Sequence, residues 1–359
     1  MSEIRPFHLD VPQTRLDDLH ARIDLTRWPD ELPGVGWDYG IPLGYVRDLV
    51  RYWRTGYDWR VHERRLNELG QFTTEIDGQR VHFLHVRTAD PDALPLILTH
   101  GWPGSVVEFL PVIEALSARH HLVIPSIPGY GFSGPTTETG WDVPRIARAF
   151  AELMRRLGYD RYGAQGGDWG SAISRELGVT DAGHVAGVHV NMLRTGPAGE
   201  DDDLTDEDQR RLALTERFQR DLSGYLKQQS TRPQTLAYAL HDSPVGQLAW
   251  IVEKFREWTD STDVPEDAVD RDLMLTNVTI YWLTGTAGSS ARLYRESGRT
   301  WASQPKPRVP LGVAVFPHDI ALPVRRLAER DHHVVHWSEF DRGGHFAAWR
   351  NPISSPRTS

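Results

Sequence analysis

The stretch GGDWGS, residues 166–171, decides the predicted fold of this chain. An amphipathic helix pattern from Val143 to Leu157 and a short strand-like segment from Asp160 to Gln165 precede it, and a second helix pattern from Ala172 to Leu177 follows. A strand, a turn with small residues two positions either side of a nucleophile, and a helix form the layout of a nucleophile elbow. Glycine suits the flanking positions because a Cβ would clash in so tight a turn, which also strains the backbone of the central residue, Asp168.

The residue at the centre of this turn is an aspartate and not a serine. A carboxylate that attacks carbon forms an alkyl ester, which suits an sp3 carbon such as that of an epoxide or a halide. The same letters also fit a plain glycine-rich loop in which Asp168 caps the following helix. Short glycine motifs recur by chance, so the rest of the chain has to decide between the two interpretations.

The composition is that of an ordinary globular protein, and it excludes several classes of partner. The 359 residues suffice for one large domain with an insertion or for two small domains, and 39% hydrophobic and 25% charged residues predict a packed core. A net charge of −9 disfavours nucleic acid and anionic membranes as partners. The lack of cysteine removes disulfides and thiolate metal sites. No stretch has the length of a membrane span and residues 1–10 lack a signal-peptide core, so we expect a cytoplasmic protein.

Three segments of different character predict the domain organisation. Residues 1–70 contain three aromatic-rich helix patterns, which predict a helical arm that packs on the core. Residues 71–198 and 305–359 alternate apolar strand runs with helix patterns, as in a mainly parallel sheet that is covered on both faces. Residues 199–304 break this alternation, since the run from Leu204 to Ser290 shows helix patterns alone. We therefore expect this segment to be a lid.

Two glycine-rich loops are predicted at the carboxyl ends of strands. The loop HGWPGS, residues 100–105, follows an apolar run and precedes a helix predicted from Phe109 to Leu116. The loop PGYGFS, residues 128–133, follows another apolar run. Asp168 also lies just beyond a predicted strand, and ligands of such sheets bind beyond the carboxyl ends of the strands. We expect the substrate to bind there.

Three candidate catalytic residues follow one another in the order nucleophile, acid and histidine. Asp168 is the first, Asp319 comes just after the predicted strand that ends at Phe316, and His345 comes just after the last predicted strand. This is the chain order of α/β-hydrolase triads. The positions of the predicted strands should bring the three side chains together at one edge of the sheet.

These residues predict a reaction in two steps. Asp168 attacks a ring carbon of an epoxide and forms an ester, and His345 then takes a proton from the water that attacks the ester carbonyl. Asp319 fixes the imidazole tautomer and stabilises the imidazolium. The backbone N–H groups of Trp102 and Trp169 are the expected donors of an oxyanion hole, where the loss of one donor costs roughly 3 to 4 kcal/mol of barrier.

The loop HGWPGS, the turn GGDWGS and the segment RGGHFAA at residues 342–348 together resemble the microsomal-type epoxide hydrolase family. The arm, as far as RWP at residues 27–29, resembles the N-terminal extension of that family. The resemblance implies an α/β-hydrolase fold with a mostly parallel central sheet, a helical lid insertion and an N-terminal helical arm. It implies an epoxide and water as substrates, with no cofactor and no metal.

The resemblance also implies two further site residues. In the family, two lid tyrosines hold the epoxide oxygen and donate the proton as the ring opens. The segment SGY at residues 223–225 matches the first and implies Tyr225, and the segment LYRE at residues 293–296 matches the second and implies Tyr294. From the residues alone, either tyrosine could equally be a packing residue.

Three features depart from the family. Asp319 stands where the family usually has a glutamate, so Asp341 and Glu339 stay open as alternative acids. The membrane-anchoring helix of the animal members is missing, so we expect a member of the soluble bacterial branch. The segment WRNPISSP at residues 349–356 cannot easily form the sheet-covering helix that the family has at this point.

Two other functions stay open at the level of the sequence. A haloalkane dehalogenase forms the same aspartyl ester, but it holds its halide with indole or amide N–H groups and not with two phenols. A non-catalytic binding protein on the same scaffold is the second alternative. Resemblance to bacterial members of natural-product pathways implies a bulky aryl or polyketide-derived epoxide, and a homodimer is one assembly that the sequence leaves open.

Overall fold

The structure, a computed structural model, describes residues 3–195, 199, 203–298 and 306–349. The prediction for the segment 349–356 therefore lies outside the described residues from residue 350 onward. The predicted lid boundaries at residues 198 and 304–305 also fall outside them, so these boundaries stay predictions.

A single mixed sheet forms the centre of the described part of the chain. Its strands are β1 (Arg5–Pro6), β2 (Gln71–Ile76), β3 (Gln79–Val86), β4 (Leu96–Thr99), β5 (Leu122–Pro125), β6 (Tyr162–Gly166), β7 (Val185–Asn191), β8 (Leu311–Val315) and β9 (Val334–Glu339). They lie in the order β1-β2-β3-β5-β4-β6-β7-β8-β9. The pairs from β5 to β9 are parallel, and the pairs that involve β2 and β3 are antiparallel. The predicted fold class, an α/β-hydrolase with a mostly parallel sheet, is thus confirmed.

Helices cover both faces of this sheet and fill the segment between β7 and β8. The described α-helices are α1 (Gln13–Asp24), α2 (Leu43–Thr55), α3 (Trp59–Asn67), α4 (Ile113–Ser117), α5 (Val143–Arg156), α6 (Trp169–Thr180), α7 (Asp206–Arg217), α8 (Gly224–Thr231), α9 (Pro233–Asp242), α10 (Pro244–Glu257), α11 (Arg271–Thr284), α12 (Ala287–Ser290), α13 (Arg292–Ser297) and α14 (Arg325–Asp331). A π-helical turn, Phe218–Leu222, links α7 to α8. Among the helices of the described residues, none is both long and apolar enough to cross a membrane.

The sequence pattern explains why the central strands are buried. The run LILT of β4 and the run LGVAV of β8 are apolar almost throughout, and their side chains are nearly all excluded from solvent. Parallel strands covered on both faces have such continuous apolar runs. Helix α5 begins at an aspartate cap and presents Ile146, Phe150 and Leu153 to the interior, where α5 packs beside α6.

One predicted helix is wrong over its first half. The pattern from Phe109 to Leu116 predicts a single helix, whereas the structure has a 3-10 turn at Val106–Phe109 and an α-helix that begins only at Ile113. Pro111 lies between the two elements, and its missing N–H and fixed φ prevent one continuous helix.

The helical arm contacts the lid helices as well as the sheet. The indole N–H of Trp53 in α2 donates to the Thr279 hydroxyl of α11 at 2.9 Å, and the Tyr57 hydroxyl lies 3.0 Å from that of Thr276. Strand β1 pairs with β2 and so joins the arm to the sheet. Among the described residues between β7 and β8, the structure has helices and no strand, in keeping with a helical lid.

Candidate functional site

The turn after β6 holds Asp168 in a strained backbone conformation. Asp168 has φ 51° and ψ −125°, a backbone region that residues other than glycine rarely occupy. Helix α6 begins at the next residue. A Cβ on Gly166 would clash with the backbone of Gly170, and a Cβ on Gly170 would clash with the carbonyl oxygen of Thr99. The steric reason for the two glycines is therefore confirmed. Strain of this kind persists where the surrounding structure enforces it, and it is frequent at catalytic residues.

The buried carboxylate of Asp168 has two defined partners. Its Oδ1 accepts a hydrogen bond from the backbone N–H of Trp102 at 2.8 Å. Its Oδ2 lies 3.4 Å from Nε2 of His345. The loop after β4, which neighbours β6 in the sheet, and the loop after β9, which is separated from β6 by β7 and β8, thus both reach the turn that holds Asp168. Trp169, the other predicted oxyanion donor, is buried as the first residue of α6.

Asp319 is the acid that the structure brings to the histidine. Its Oδ1 lies 2.8 Å from Nδ1 of His345 and also accepts the backbone N–H of Ile320 at 2.7 Å. The alternative acids lie elsewhere. Glu339 is bound to the Arg211 guanidinium at 2.9 Å and to the Trp337 indole, and Asp341 is exposed at the surface.

Two carboxylates on opposite sides of one imidazole set its protonation state. Burial alone would lower the pKa of His345, but the charge of Asp319, together with that of Asp168, overcomes this effect and raises the pKa to about 10. In the free protein at neutral pH, the imidazolium is therefore held between Asp168 and Asp319. An imidazole held in this way can act as a general base only when one of the two negative charges is removed.

The two predicted lid tyrosines adjoin the same cavity as Asp168, the predicted nucleophile. The Tyr225 ring stacks on Trp102 at a centroid distance of 5.0 Å, and the Tyr294 ring meets Trp169 edge to face at 4.8 Å. The two phenol rings are 6.0 Å apart. Burial, with the nearby charge of Asp168 as a further cause, raises the pKa of both phenols well above its usual value. Both hydroxyls therefore stay protonated and can donate hydrogen bonds.

The space between these groups is narrow. A cavity of about 20 Å³ adjoins Asp168 and the two tyrosines, roughly the room that one water molecule requires. Side chains of the lid and of the loop after β7 account for most of its other walls. They are mainly apolar, with a few polar groups: Met192, Phe218, Leu226, Ile320, Thr215, Gln219 and Arg194. A ligand much larger than one water molecule does not fit this cavity with the lining side chains in these positions.

The sequence did not single out two buried residues of the site. Trp258, which follows α10, contacts His345 edge to face at 4.9 Å and Tyr225 at 5.1 Å. Glu108 lies in the turn after HGWPGS, where burial raises its pKa to about 8, opposed by the charge of His345 and aided by that of Asp168. No signal in the letters identifies either residue, because both are defined by tertiary packing. Within the described ranges, no group of three acidic or histidine side chains is arranged to hold a metal.

Comparison with known proteins adds an independent line of evidence. Residues 4–109 match the family model of the epoxide hydrolase N terminus, and residues 95–235 match that of the alpha/beta hydrolase fold. A protein of Stigmatella aurantiaca assigned as an epoxide hydrolase is 46% identical over 97% of this chain and 82% of its own length. Epoxide hydrolase 1 of Sus scrofa is 35% identical over 97% of this chain and 86% of its own length.

Solved structures of epoxide hydrolases are also similar to this chain over almost its whole length. The structure of an Aspergillus niger epoxide hydrolase superposes with a TM-score of 0.89 at 34% identity, covering 98% of this chain and 93% of that chain. The juvenile hormone epoxide hydrolase of the silkworm Bombyx mori superposes with a TM-score of 0.91 at 30% identity, covering 98% of this chain and 92% of that chain. The likeness therefore extends over the arm, the sheet and the lid.

Proposed function

The chain belongs to the microsomal-type epoxide hydrolase family and is an epoxide hydrolase, and from that premise we propose that it forms the diol through an ester on Asp168. The observation that supports this mechanism best is the pair of contacts on one buried carboxylate. Asp168 meets the Trp102 N–H on one oxygen and the His345 imidazole on the other, below two protonated phenols.

In the first step, a carboxylate oxygen of Asp168 bonds to a ring carbon, and the bond between that carbon and the epoxide oxygen breaks. Tyr225 and Tyr294 hold the departing oxygen, and one of them transfers its proton to it. The high pKa of each phenol keeps this proton in place until negative charge develops on the oxygen. The products of the step are a hydroxyalkyl ester and a phenolate.

In the second step, water attacks the carbonyl carbon of the ester. Esterification removes the negative charge of Asp168, so the pKa of His345 falls and the imidazole can give up its proton to the phenolate. The neutral imidazole then takes a proton from the attacking water while Asp319 balances the imidazolium. The N–H of Trp102 already points at Oδ1, where the oxyanion forms, and that of Trp169 is its partner. Cleavage of the acyl C–O bond expels an alkoxide, which takes the remaining proton of the added water; the products are the diol, the Asp168 carboxylate and the imidazolium.

The alternatives considered from the sequence are less well supported. Two buried phenols suit an epoxide oxygen, whereas a departing halide requires N–H donors. A non-catalytic scaffold conflicts with the relatedness to enzymes over almost the whole chain. The aromatic and aliphatic walls of the cavity support an epoxide with an aryl or other apolar substituent, as in a natural-product pathway. Cytoplasmic location and a homodimer rest on the sequence alone and stay predictions.

A single turnover in H₂¹⁸O tests the ester mechanism. With enzyme in excess over styrene oxide, we expect unlabelled diol and one ¹⁸O atom in the peptide that carries Asp168. The reason is that the carboxylate supplies the new oxygen of the diol, and water replaces it in the carboxylate. Mass spectrometry of both products gives the answer. Labelled diol with an unlabelled peptide would show that water attacks the epoxide directly, and it would refute the ester.

Replacement of the lid tyrosines tests the first step. We expect Tyr225→Phe and Tyr294→Phe each to slow ester formation by about 10-fold, and the double variant by about 10²- to 10³-fold, because general acid catalysis contributes factors of this size. Rapid-quench measurement of ester formation separates this effect from ester hydrolysis. Tyr238→Phe is the matched control, since Tyr238 is an exposed tyrosine of lid helix α9. A double variant with the ester-formation rate of the wild type would assign the proton donor elsewhere.

A further inference from the structure

The chain segment that follows lid helix α10 holds the loop that carries His345. The backbone N–H of His345 donates to the carbonyl oxygen of Trp258 at 2.8 Å. The backbone N–H of Gly343 donates to Oδ2 of Asp260 at 3.2 Å. Helix α10 ends at Glu257, so Trp258 and Asp260 lie in its direct continuation. Two hydrogen bonds therefore join the lid to the loop from which the catalytic imidazole projects.

The second of these bonds involves a largely buried carboxylate. The Asp260 side chain is 12% exposed, and its Oδ2 lies 3.9 Å from Nε of Arg342, whose side chain is 60% exposed. The exposed cation is screened by water, so its attraction to Asp260 is weak. The hydrogen bond from Gly343 to the Asp260 carboxylate is the shorter of these two contacts, and it holds the backbone two residues before His345.

The backbone of the loop that carries His345 is closely packed at Gly344. A Cβ on Gly344 would clash with the carbonyl oxygens of Trp258 and His318. Gly344 also forms a parallel bridge with His318, next to Asp319 in sequence. The His345 loop is thus held between the lid on one side and the loop of the triad acid on the other.

We propose that Asp260 is a positioning residue that couples the lid to the hydrolysis of the ester. The proposal rests on the two-step function proposed above. Asp260 contacts no reacting atom; it holds Gly343 and thereby sets the direction in which His345 faces the ester carbonyl. Ring opening depends on Asp168 and on the lid tyrosines, so only the second step should respond when this contact is lost. A misplacement of about 1 Å can cost roughly 10²-fold in rate.

Measurement of the two steps separately tests this role. In Asp260→Ala, we expect ester hydrolysis to slow by roughly 10- to 100-fold while ester formation stays nearly unchanged, so that ester accumulates on the peptide with Asp168. Rapid quench with styrene oxide and mass spectrometry of that peptide give both rate constants. Asp260→Asn retains an acceptor oxygen for the N–H of Gly343 and should restore hydrolysis almost to the rate of the wild type.

Asp267 offers a matched control in the same lid loop. Its Oδ2 accepts the backbone N–H groups of Thr262, Asp263 and Val264, and within the part of the chain that the structure describes its hydrogen bonds do not reach the His345 loop. Asp267→Ala should lower the unfolding temperature but leave the ratio of the two rate constants as in the wild type.

Three results would overturn the role of Asp260. They are wild-type hydrolysis in Asp260→Ala, an equal loss in both steps, or the same change of ratio in Asp267→Ala. Absence of any ester in the wild type would instead refute the proposed function itself. The two failures are distinguishable because ester formation is measured directly in the wild type, without any substitution of Asp260.

Discussion

Asp168→Ala is expected to lower kcat/KM for styrene oxide by at least about 10⁴-fold, since removal of a nucleophile that acts through a covalent intermediate has effects of this size. The methyl group cannot form the ester, and neither Asp319 nor Glu108 is placed to replace the lost carboxylate. Asp319 is bound to His345 on the far side of the imidazole, and Glu108 has a raised pKa that keeps much of it protonated at neutral pH. Chromatographic measurement of diol formation gives the loss.

A control substitution separates lost chemistry from lost folding. Asp142 caps helix α5 by accepting the backbone N–H of Arg145 at 3.0 Å. Asp142→Ala should cost about 1 kcal/mol of unfolding free energy and leave diol formation intact. Asp168→Asn is a poorer test than alanine, because slow deamidation can restore the aspartate. Diol formation by Asp168→Ala close to the rate of the wild type would place the nucleophile elsewhere in the chain.

Local chemistry explains why the sequence predicts so much of this molecule. The turn around Asp168 is recognisable because Gly166 and Gly170 stand where a Cβ would clash with nearby backbone atoms. The strands follow from apolar runs, and the order of the strands carries the ends of β6, β8 and β9 to one edge of the sheet. Asp319 could therefore be placed near His345 although 26 residues separate them. The choice between Asp319 and Glu339 required coordinates, because both residues lie close to strand ends.

Contacts between distant parts of the chain were beyond such reasoning. Trp258 and Asp260 belong to a lid whose helix patterns do not show what lies beneath them. The contact of Asp260 with Gly343 joins residues 83 positions apart, and neither residue has a recognisable motif partner. Glu108 lies between the loop HGWPGS and the predicted helix, and the sequence does not show that it is buried. These contacts and the burial of Glu108 depend on how one element packs on another. The periodicity of residues within a single element does not show which other element lies against it.

In the proposed mechanism, the imidazole between two carboxylates gives the catalytic cycle its order. While Asp168 is ionised, the pKa of His345 is about 10. The ring therefore already carries a proton at neutral pH and cannot take another one from water. Ester formation neutralises one of the two carboxylates, so the base becomes available only after the intermediate exists. The two steps are thus separated by electrostatics as well as by geometry.

His345→Gln is therefore expected to stop the cycle at the ester. General base catalysis contributes about 10²- to 10⁴-fold, so ester hydrolysis should slow by roughly 10³-fold while ester formation continues. Mass spectrometry after incubation with styrene oxide should show the mass of the epoxide added to the peptide with Asp168. His336→Gln is the matched control, because His336 is an exposed residue of β9 that is hydrogen-bonded to Ser338 at 2.8 Å. An adduct on another peptide would contradict the assignment of the nucleophile.

The pH dependence of the same variant tests the electrostatic argument. The folded-state pKa of His345 is raised to about 10 from an unfolded value of about 6.5, so its contribution to stability is complete below pH about 6.5 and is lost as the pH rises through about 10. The difference in unfolding free energy between the wild type and His345→Gln should therefore shrink over that window. Ester hydrolysis by the wild type should instead rise with pH through an apparent pKa below 10, because the esterified Asp168 no longer stabilises the imidazolium. A hydrolysis profile with its pKa still near 10 would mean that Asp319 alone holds the proton, and the order of steps would then need another cause.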